Sequence, residues 1–131
     1  HVLFLAGLVS RADDLGCWAA EYNSCVPPAL KKLVDAFRPD GFGGRPSGIV
    51  SYSVRRFGGV RAAEQMRLLI PSFGAVTIPS VLSIPDIENS IGDNGETPDD
   101  SPWSDLAADF LAELEAWARS APGATSHDGI A

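Results

Sequence analysis

At 131 residues the chain has room for one hydrophobic core of ordinary size, not two. An apolar fraction of 45% with 21% charged residues is the composition of a globular chain, which excludes a disordered one. The formal net charge of −7 argues against nucleic acid or an anionic membrane as partner, and no apolar run reaches the roughly 18 residues that cross a bilayer.

Residues 2–12 are expected to form a helix, because Leu3, Leu5, Leu8 and Val9 fall on one side and Arg11 stands near its end; a strand over residues 2–6 is the rival reading. HVLFLAGLV lacks the charged start and cleavage site of a signal peptide. With His in first place, the stretch reads as the tail of a longer product or an atypical start. Asp13 and Asp14 turn the chain into residues 15–20, a short, mostly apolar run expected to be a strand covered on both faces.

A helix is predicted over residues 27–37. Pro27 and Pro28 suit its first turn, Ser24 or Cys25 its cap, and Leu30, Leu33, Val34 and Phe37 keep helical spacing. Glu21, Tyr22 and Asn23 therefore land at the carboxyl end of a strand, where open α/β sheets bind ligands. RPDGFGGRP reads as a loop, residues 47–53 as the next strand, and residues 54–59 as a second loop at its carboxyl end.

From residue 60 to 70 the positions Ala63, Met66 or Arg67 and Ile70 predict a helix that Pro71 closes. Residues 75–82 read as a strand at or near a sheet edge, since Pro79 breaks them. IPDIENSIGDNGETPDDSP is expected to be one long loop. Ser101 and Pro102 then cap and start a helix whose stripe of Trp103, Leu106, Ala107, Phe110, Leu111, Leu114 and Trp117 reads as core. Residues 1–121 are expected to form a single domain, with residues 122–131 a disordered tail. Alternating strands and helices predict a parallel sheet with right-handed crossovers.

AEYNSCVPPALKKLVD resembles the PEYN-x-x-x-P-x-x-LKN-x-x-D segment of the NADPH-dependent FMN reductases, a flavodoxin-like family that includes quinone, azo-dye and chromate reductases. GRPSGIVSYSVRRFGGVRAAEQMRLLIPSFGAVTIPSV is similar to that family's next strand, its Gly-Gly loop with a following Arg, its helix and the strand after it. The resemblance spans roughly residues 11–118. Position 20 is Ala where the family has Pro, and the family's first strand and Ser/Arg-bearing phosphate loop have no counterpart. The fold it implies is an α/β, flavodoxin-like three-layer sandwich with a parallel sheet, lacking the first two strands. In the strand order 2-1-3-4-5 the central strand would be the missing one, leaving residues 15–20 with an unpaired edge that another protomer or the first helix would cover.

By the same resemblance, Glu21, Tyr22, Asn23 and Ser24 would border the isoalloxazine ring of FMN, with Tyr52, Ser53, Gly58 and Gly59 on the neighbouring loop. The implied activity passes hydride from NAD(P)H through bound FMN to a quinone, flavin or azo acceptor. The cofactor carries that chemistry, so no acid/base triad is implied. A homodimer or tetramer is the expected assembly. The alternative is a cofactor-free remnant that is inactive or works as an interaction module, pairing its exposed strand edge with a partner. A flavodoxin-type electron carrier is disfavoured by the EYN loop.

Each candidate also has an ordinary structural reading. Tyr22 would cover the sheet's end, Gly58 and Gly59 would make only a turn, and Arg55 and Arg56 would be plain surface and not a magnet for nucleotide phosphates. Lys31 and Lys32 read as a solvated helix face. Asp86, Glu88, Asp93 and Glu96 miss the spacing of a calcium loop, and His1 and His127 have no ligand-spaced neighbour, so no metal site is expected. Cys17 and Cys25 lack CxxC spacing and read as free thiols of a cytoplasmic protein.

Overall fold

The computed structural model describes residues 12–36, 42–98 and 100–121. The predicted segment at 2–12 and the tail at 122–131 lie outside the described residues, save for Ala12. Three parallel strands, β1 (Leu15–Ala20), β2 (Pro46–Tyr52) and β3 (Val76–Ile84), form a sheet in the order β1-β2-β3. The expected α/β, flavodoxin-like arrangement with a parallel sheet is present. β1 pairs with β2 from Leu15 opposite Ser47 to Ala20 opposite Tyr52. β2 in turn meets β3 through Ser51 opposite Ser83 and Tyr52 opposite Ile84. The three carboxyl ends therefore finish level with one another.

Adjacent side chains of a strand point to opposite faces, and β2 uses both. Ile49 joins Leu15, Ala19, Ala62, Ala63, Met66 and Ile70 in a core between the sheet and α2 (Val60–Leu69). Val50 joins Ile78, Ile84, Phe110 and Leu114 in a second core under α4 (Trp103–Ser120). Two cores on opposite faces of one strand are what make three layers. Gly48 sits where α4 crosses: a Cβ there would come within 2.5 Å of Phe110 Cζ, so the missing side chain permits the helix's close approach.

β1 departs from expectation. Leu15 and Ala19 are buried on one face, but Gly16 and Trp18 on the other are exposed, Trp18 to 62%. Among the described residues no helix covers that second face, because α4 lies over β2 and β3. α1 (Pro28–Asp35) starts one residue later than predicted and without a side-chain cap. Ser24 and Cys25 belong to a turn before it, and Pro27, which occupies the cap position, has no polar side chain to bond the first-turn amides. The helix's other predicted end, Phe37, is outside the described residues.

Pro71 does not close α2 by itself. It stands in the first turn of a 3-10 segment, Ile70–Phe73, where its missing N–H is harmless; Gly74, at φ 86°, ends the run. Pro79 falls in an irregular stretch of the edge strand, where β3 advances from Thr77 to Val81 while β2 moves only from Ser47 to Ile49. Arg67 bonds the carbonyls of Ile78 (3.3 Å) and Pro79 there. The predicted long loop contains a one-turn helix, α3 (Ile87–Ser90), which a sequence without periodicity does not announce. On α4 the expected stripe narrows. Phe110, Leu114 and Ala118, at i, i+4 and i+8, are buried, whereas Leu106, Leu111 and Trp117 are largely exposed. The three strands among the described residues span only about 10 Å between outer axes, too little to cover the flanks of a helix of similar diameter. Ser101 does act at the helix start, its Oγ accepting the Trp103 N–H at 3.3 Å.

Candidate functional site

The ladder continues past the strand ends. The Glu21 N–H donates to the Tyr52 carbonyl at 3.1 Å, and the Ser53 N–H to the Ile84 carbonyl at 3.2 Å. These two bonds set the loops after β1 and β2 side by side above one sheet edge, the position sequence reasoning gives them.

The first loop turns tightly. Tyr22 and Cys25 exchange both backbone bonds, at 2.9 and 3.0 Å, around Asn23 and Ser24, whose φ values of 50° and 66° are left-handed as in a type I′ turn. Asn tolerates that region, whereas Ser carries strain there. Tyr22 is 62% exposed, and Asn23 and Ser24 are exposed too. Among the described residues the Tyr22 hydroxyl, the Asn23 carboxamide and the Ser24 hydroxyl bond no protein group.

Glu21 behaves differently from its three neighbours. Its side chain is only 8% exposed and is turned into the protein. One carboxylate oxygen accepts the Arg61 backbone N–H and the other the Arg61 guanidinium, each at 3.1 Å. Arg61 is the second residue of α2, so the carboxylate fills the N–H end of that helix from a distant loop. Gln65, one turn further, completes the attachment: its Nε2 donates to the Ser24 carbonyl at 3.2 Å and its Oε1 accepts the Val26 N–H at 2.9 Å. Sequence reasoning passed over Arg61 and Gln65 as site residues. Their i, i+4 spacing just after the Gly-Gly pair was the available signal.

On the second loop, Tyr52 is half-buried and Ser53 is buried, its Oγ accepting the Arg55 N–H at 3.1 Å while its carbonyl accepts the Ile87 N–H. Gly58 and Gly59 are buried and left-handed, at φ 60° and 79°. A Cβ on Gly58 would meet the backbone of Ser83 and Pro85 at 3.0 Å, and one on Gly59 the Tyr52 carbonyl oxygen at 2.8 Å. Packing against their own chain thus accounts for both glycines. Ser51, beneath them, donates to the Gly58 carbonyl at 2.8 Å. The loop's outer rim is exposed: Val54, Arg55, Arg56 and Phe57, with the Arg56 guanidinium 4.7 Å and the Arg61 guanidinium 5.5 Å from the Phe57 ring centre. The amides of Val54, Arg56 and Phe57 donate to no group among the described residues.

The exposed amides and the free polar groups of Tyr22, Asn23 and Ser24 fit the polar edge of a flat heterocycle such as a flavin ring. The N-terminus of α2, where a phosphate could otherwise sit, is already filled by Glu21. No group of three or more His, Cys, Asp or Glu side chains able to hold a metal ion occurs among the described residues. Cys17 lies away from this edge, beside β2. Burial pushes its thiol above the ordinary value of 9.0, and a contact with the Ser47 hydroxyl at 3.6 Å pulls partly the other way. Among the described residues no helix is long and apolar enough to cross a membrane.

Comparison with known proteins agrees with the fold. The model of the family described as NADPH-dependent FMN reductase matches residues 6–89. The fold is similar to that of an oxidoreductase from Corynebacterium diphtheriae (TM-score 0.74, 17% identity), covering 91% of this chain and 62% of that one. It is similar also to FerB, a flavoenzyme NAD(P)H:(acceptor) oxidoreductase from Paracoccus denitrificans (TM-score 0.76, 21% identity, 91% of this chain and 68% of that one). A third likeness is to the apo form of an NADH:FMN oxidoreductase, EMOB (TM-score 0.69, 15% identity, 95% and 62%). The chain thus spans about three fifths of the length of the first and third of these. Among curated proteins none matches it significantly.

Proposed function

This chain belongs to the NADPH-dependent FMN reductase family, and on that premise we propose that it works as an FMN-dependent NAD(P)H oxidoreductase with the flavin ring against the paired loops. The supporting observation is the level exit of those loops, fixed by the Glu21 to Tyr52 and Ser53 to Ile84 backbone bonds. Bound FMN would supply the hydride chemistry, taking hydride from NAD(P)H and passing it to a quinone, flavin or azo acceptor. The chain's own residues bind and orient. Tyr22, Asn23 and Ser24 offer a hydroxyl, a carboxamide and a second hydroxyl toward the ring's edge, and the amides of Val54, Arg56 and Phe57 offer donors from the other side. Glu21, Tyr52, Ser53, Gly58 and Gly59 shape the wall from behind. Arg55 and Arg56 give this acidic chain local positive charge for the phosphates of the nicotinamide cofactor. A cytoplasmic homodimer or tetramer is the assembly proposed.

The test is titration of the purified chain with FMN, followed by flavin fluorescence, and then NAD(P)H oxidation with a quinone. Saturable uptake and turnover support the reading, and no uptake removes it. A second reading has its own observation: the outer edge of β1 pairs with nothing among the described residues, beside an exposed Trp18. A cofactor-free interaction module would associate without flavin in light scattering and oxidise no NADPH.

A further inference from the structure

We propose that Gln65 is a positioning residue, which holds the Tyr22–Cys25 turn in its left-handed form and so aims Tyr22, Asn23 and Ser24 at the ligand; the aim rests on the flavin reading, the holding does not. Nothing within the turn favours that shape at Ser24. Type I′ turns want Asn-Gly at their centre, and this chain has Asn-Ser, with Ser24 at φ 66°. A strained backbone persists only where its surroundings over-determine it. Here one side chain makes both outer contacts, since the Gln65 carboxamide takes the Ser24 carbonyl at 3.2 Å and the Val26 N–H at 2.9 Å. That amide reads the loop as a partner strand would, one donor and one acceptor in fixed register. The other end is pinned by Glu21 on Arg61, one turn earlier on the same helix. Helix α2 thus sets the turn's shape from both sides, and the strain at Ser24 is stored against it.

The experiment uses the full chain and three variants: Gln65→Met, which keeps the length and loses both bonds, Ser24→Gly, and the two combined. Amide hydrogen exchange is read at Tyr22 and Cys25, whose N–H groups close the turn, and at Ile49 and Val50 of β2 as the reference. Gln65→Met is expected to speed exchange at Tyr22 and Cys25 by about tenfold or more, the scale of losing a hydrogen-bond partner, with the β2 amides unchanged. Ser24→Gly in the same chain restores protection, because Asn-Gly holds the type I′ shape unaided. A merely structural Gln65 would give no such rescue. Exchange unchanged at the turn, a uniform rise that includes β2, or failure of Ser24→Gly to rescue each overturns the proposal. FMN titration of the same proteins separates the two claims. If the parent chain takes up FMN, the Gln65→Met variant binds it about tenfold or more weakly, whereas the double variant binds it as well as Ser24→Gly alone, which already lacks the Ser24 hydroxyl; an unchanged affinity of Gln65→Met overturns the positioning role. If the parent takes up none, the flavin reading falls while the exchange result still decides whether Gln65 holds the turn.

Discussion

Replacing Glu21 by Ala removes the one carboxylate that ties the first loop to helix α2. The side chain is 8% exposed and accepts two bonds at 3.1 Å, one from a helix N-terminal amide and one from a guanidinium that is itself 51% exposed. A hydrogen bond to a charged group contributes about 1.5–3 kcal/mol, and a carboxylate at a helix N-terminus about 0.3–1 kcal/mol. The guanidinium part is screened by water and adds little, roughly 0.2–1 kcal/mol. These contributions share one carboxylate and do not add in full, so Glu21→Ala should cost about 2–3 kcal/mol, and Glu21→Gln, which keeps an acceptor but no charge, about 1 kcal/mol. At roughly 3–5 °C per kcal/mol for a chain of this size, the Ala variant should melt about 6–15 °C lower. Urea unfolding of Glu21→Ala, Arg61→Ala and the double variant apportions the loss. Arg61→Ala keeps its backbone N–H, so it should cost about 1 kcal/mol or less, with a coupling of about 0.5 kcal/mol. A Glu21→Ala variant within about 0.5 kcal/mol of the parent would refute the reasoning, as would an Arg61→Ala loss equal to the Glu21→Ala loss.

Gly59→Ala should destabilise by about 2–4 kcal/mol in the same assay, because φ is 79° and the new Cβ would stand 2.8 Å from the Tyr52 carbonyl oxygen. Gly48→Ala should cost about 1–3 kcal/mol by pushing Phe110 out of its place under α4, measurable by urea unfolding; no loss would mean the helix stands further off. Cys17 gives a pH dependence. Its folded thiol titrates above 9.0, so the folded state holds the proton more tightly than the unfolded one. That contribution is complete below pH 9.0 and is lost as pH climbs through the folded value. Stability of the parent should fall above that pH more steeply than stability of Cys17→Ala. With a thiol reagent at neutral pH, exposed Cys25 should react first and Cys17 slowly.

The strands, their parallel order and the meeting of two loops at their carboxyl ends were legible because each rests on local signals: short apolar runs, prolines after a polar loop, a Gly-Gly pair before a helix. What escaped depends on partners distant in sequence. Nothing near Glu21 says that its carboxylate will turn inward to a helix beginning forty residues later, and an EYN loop reads as uniformly ligand-facing until Arg61 claims its first member. Gly58 and Gly59 likewise read as room for a ligand until the backbone of Tyr52 and Ser83 is seen to occupy that room. The wide stripe predicted on α4 needs a sheet broad enough to bury it, and Leu111 is 59% exposed above the three strands among the described residues, which are not. The apolar run makes Trp18 read as a covered residue, yet periodicity reports which faces alternate and not what lies against them.

The most direct measurement is a titration of the isotope-labelled chain with FMN, following every backbone amide by NMR. The account predicts that saturable shifts gather at residues 22–24 and 53–58, with the Tyr22, Asn23, Arg56 and Phe57 signals among the largest. Shifts confined to another face of the sheet, or none at all, would contradict it.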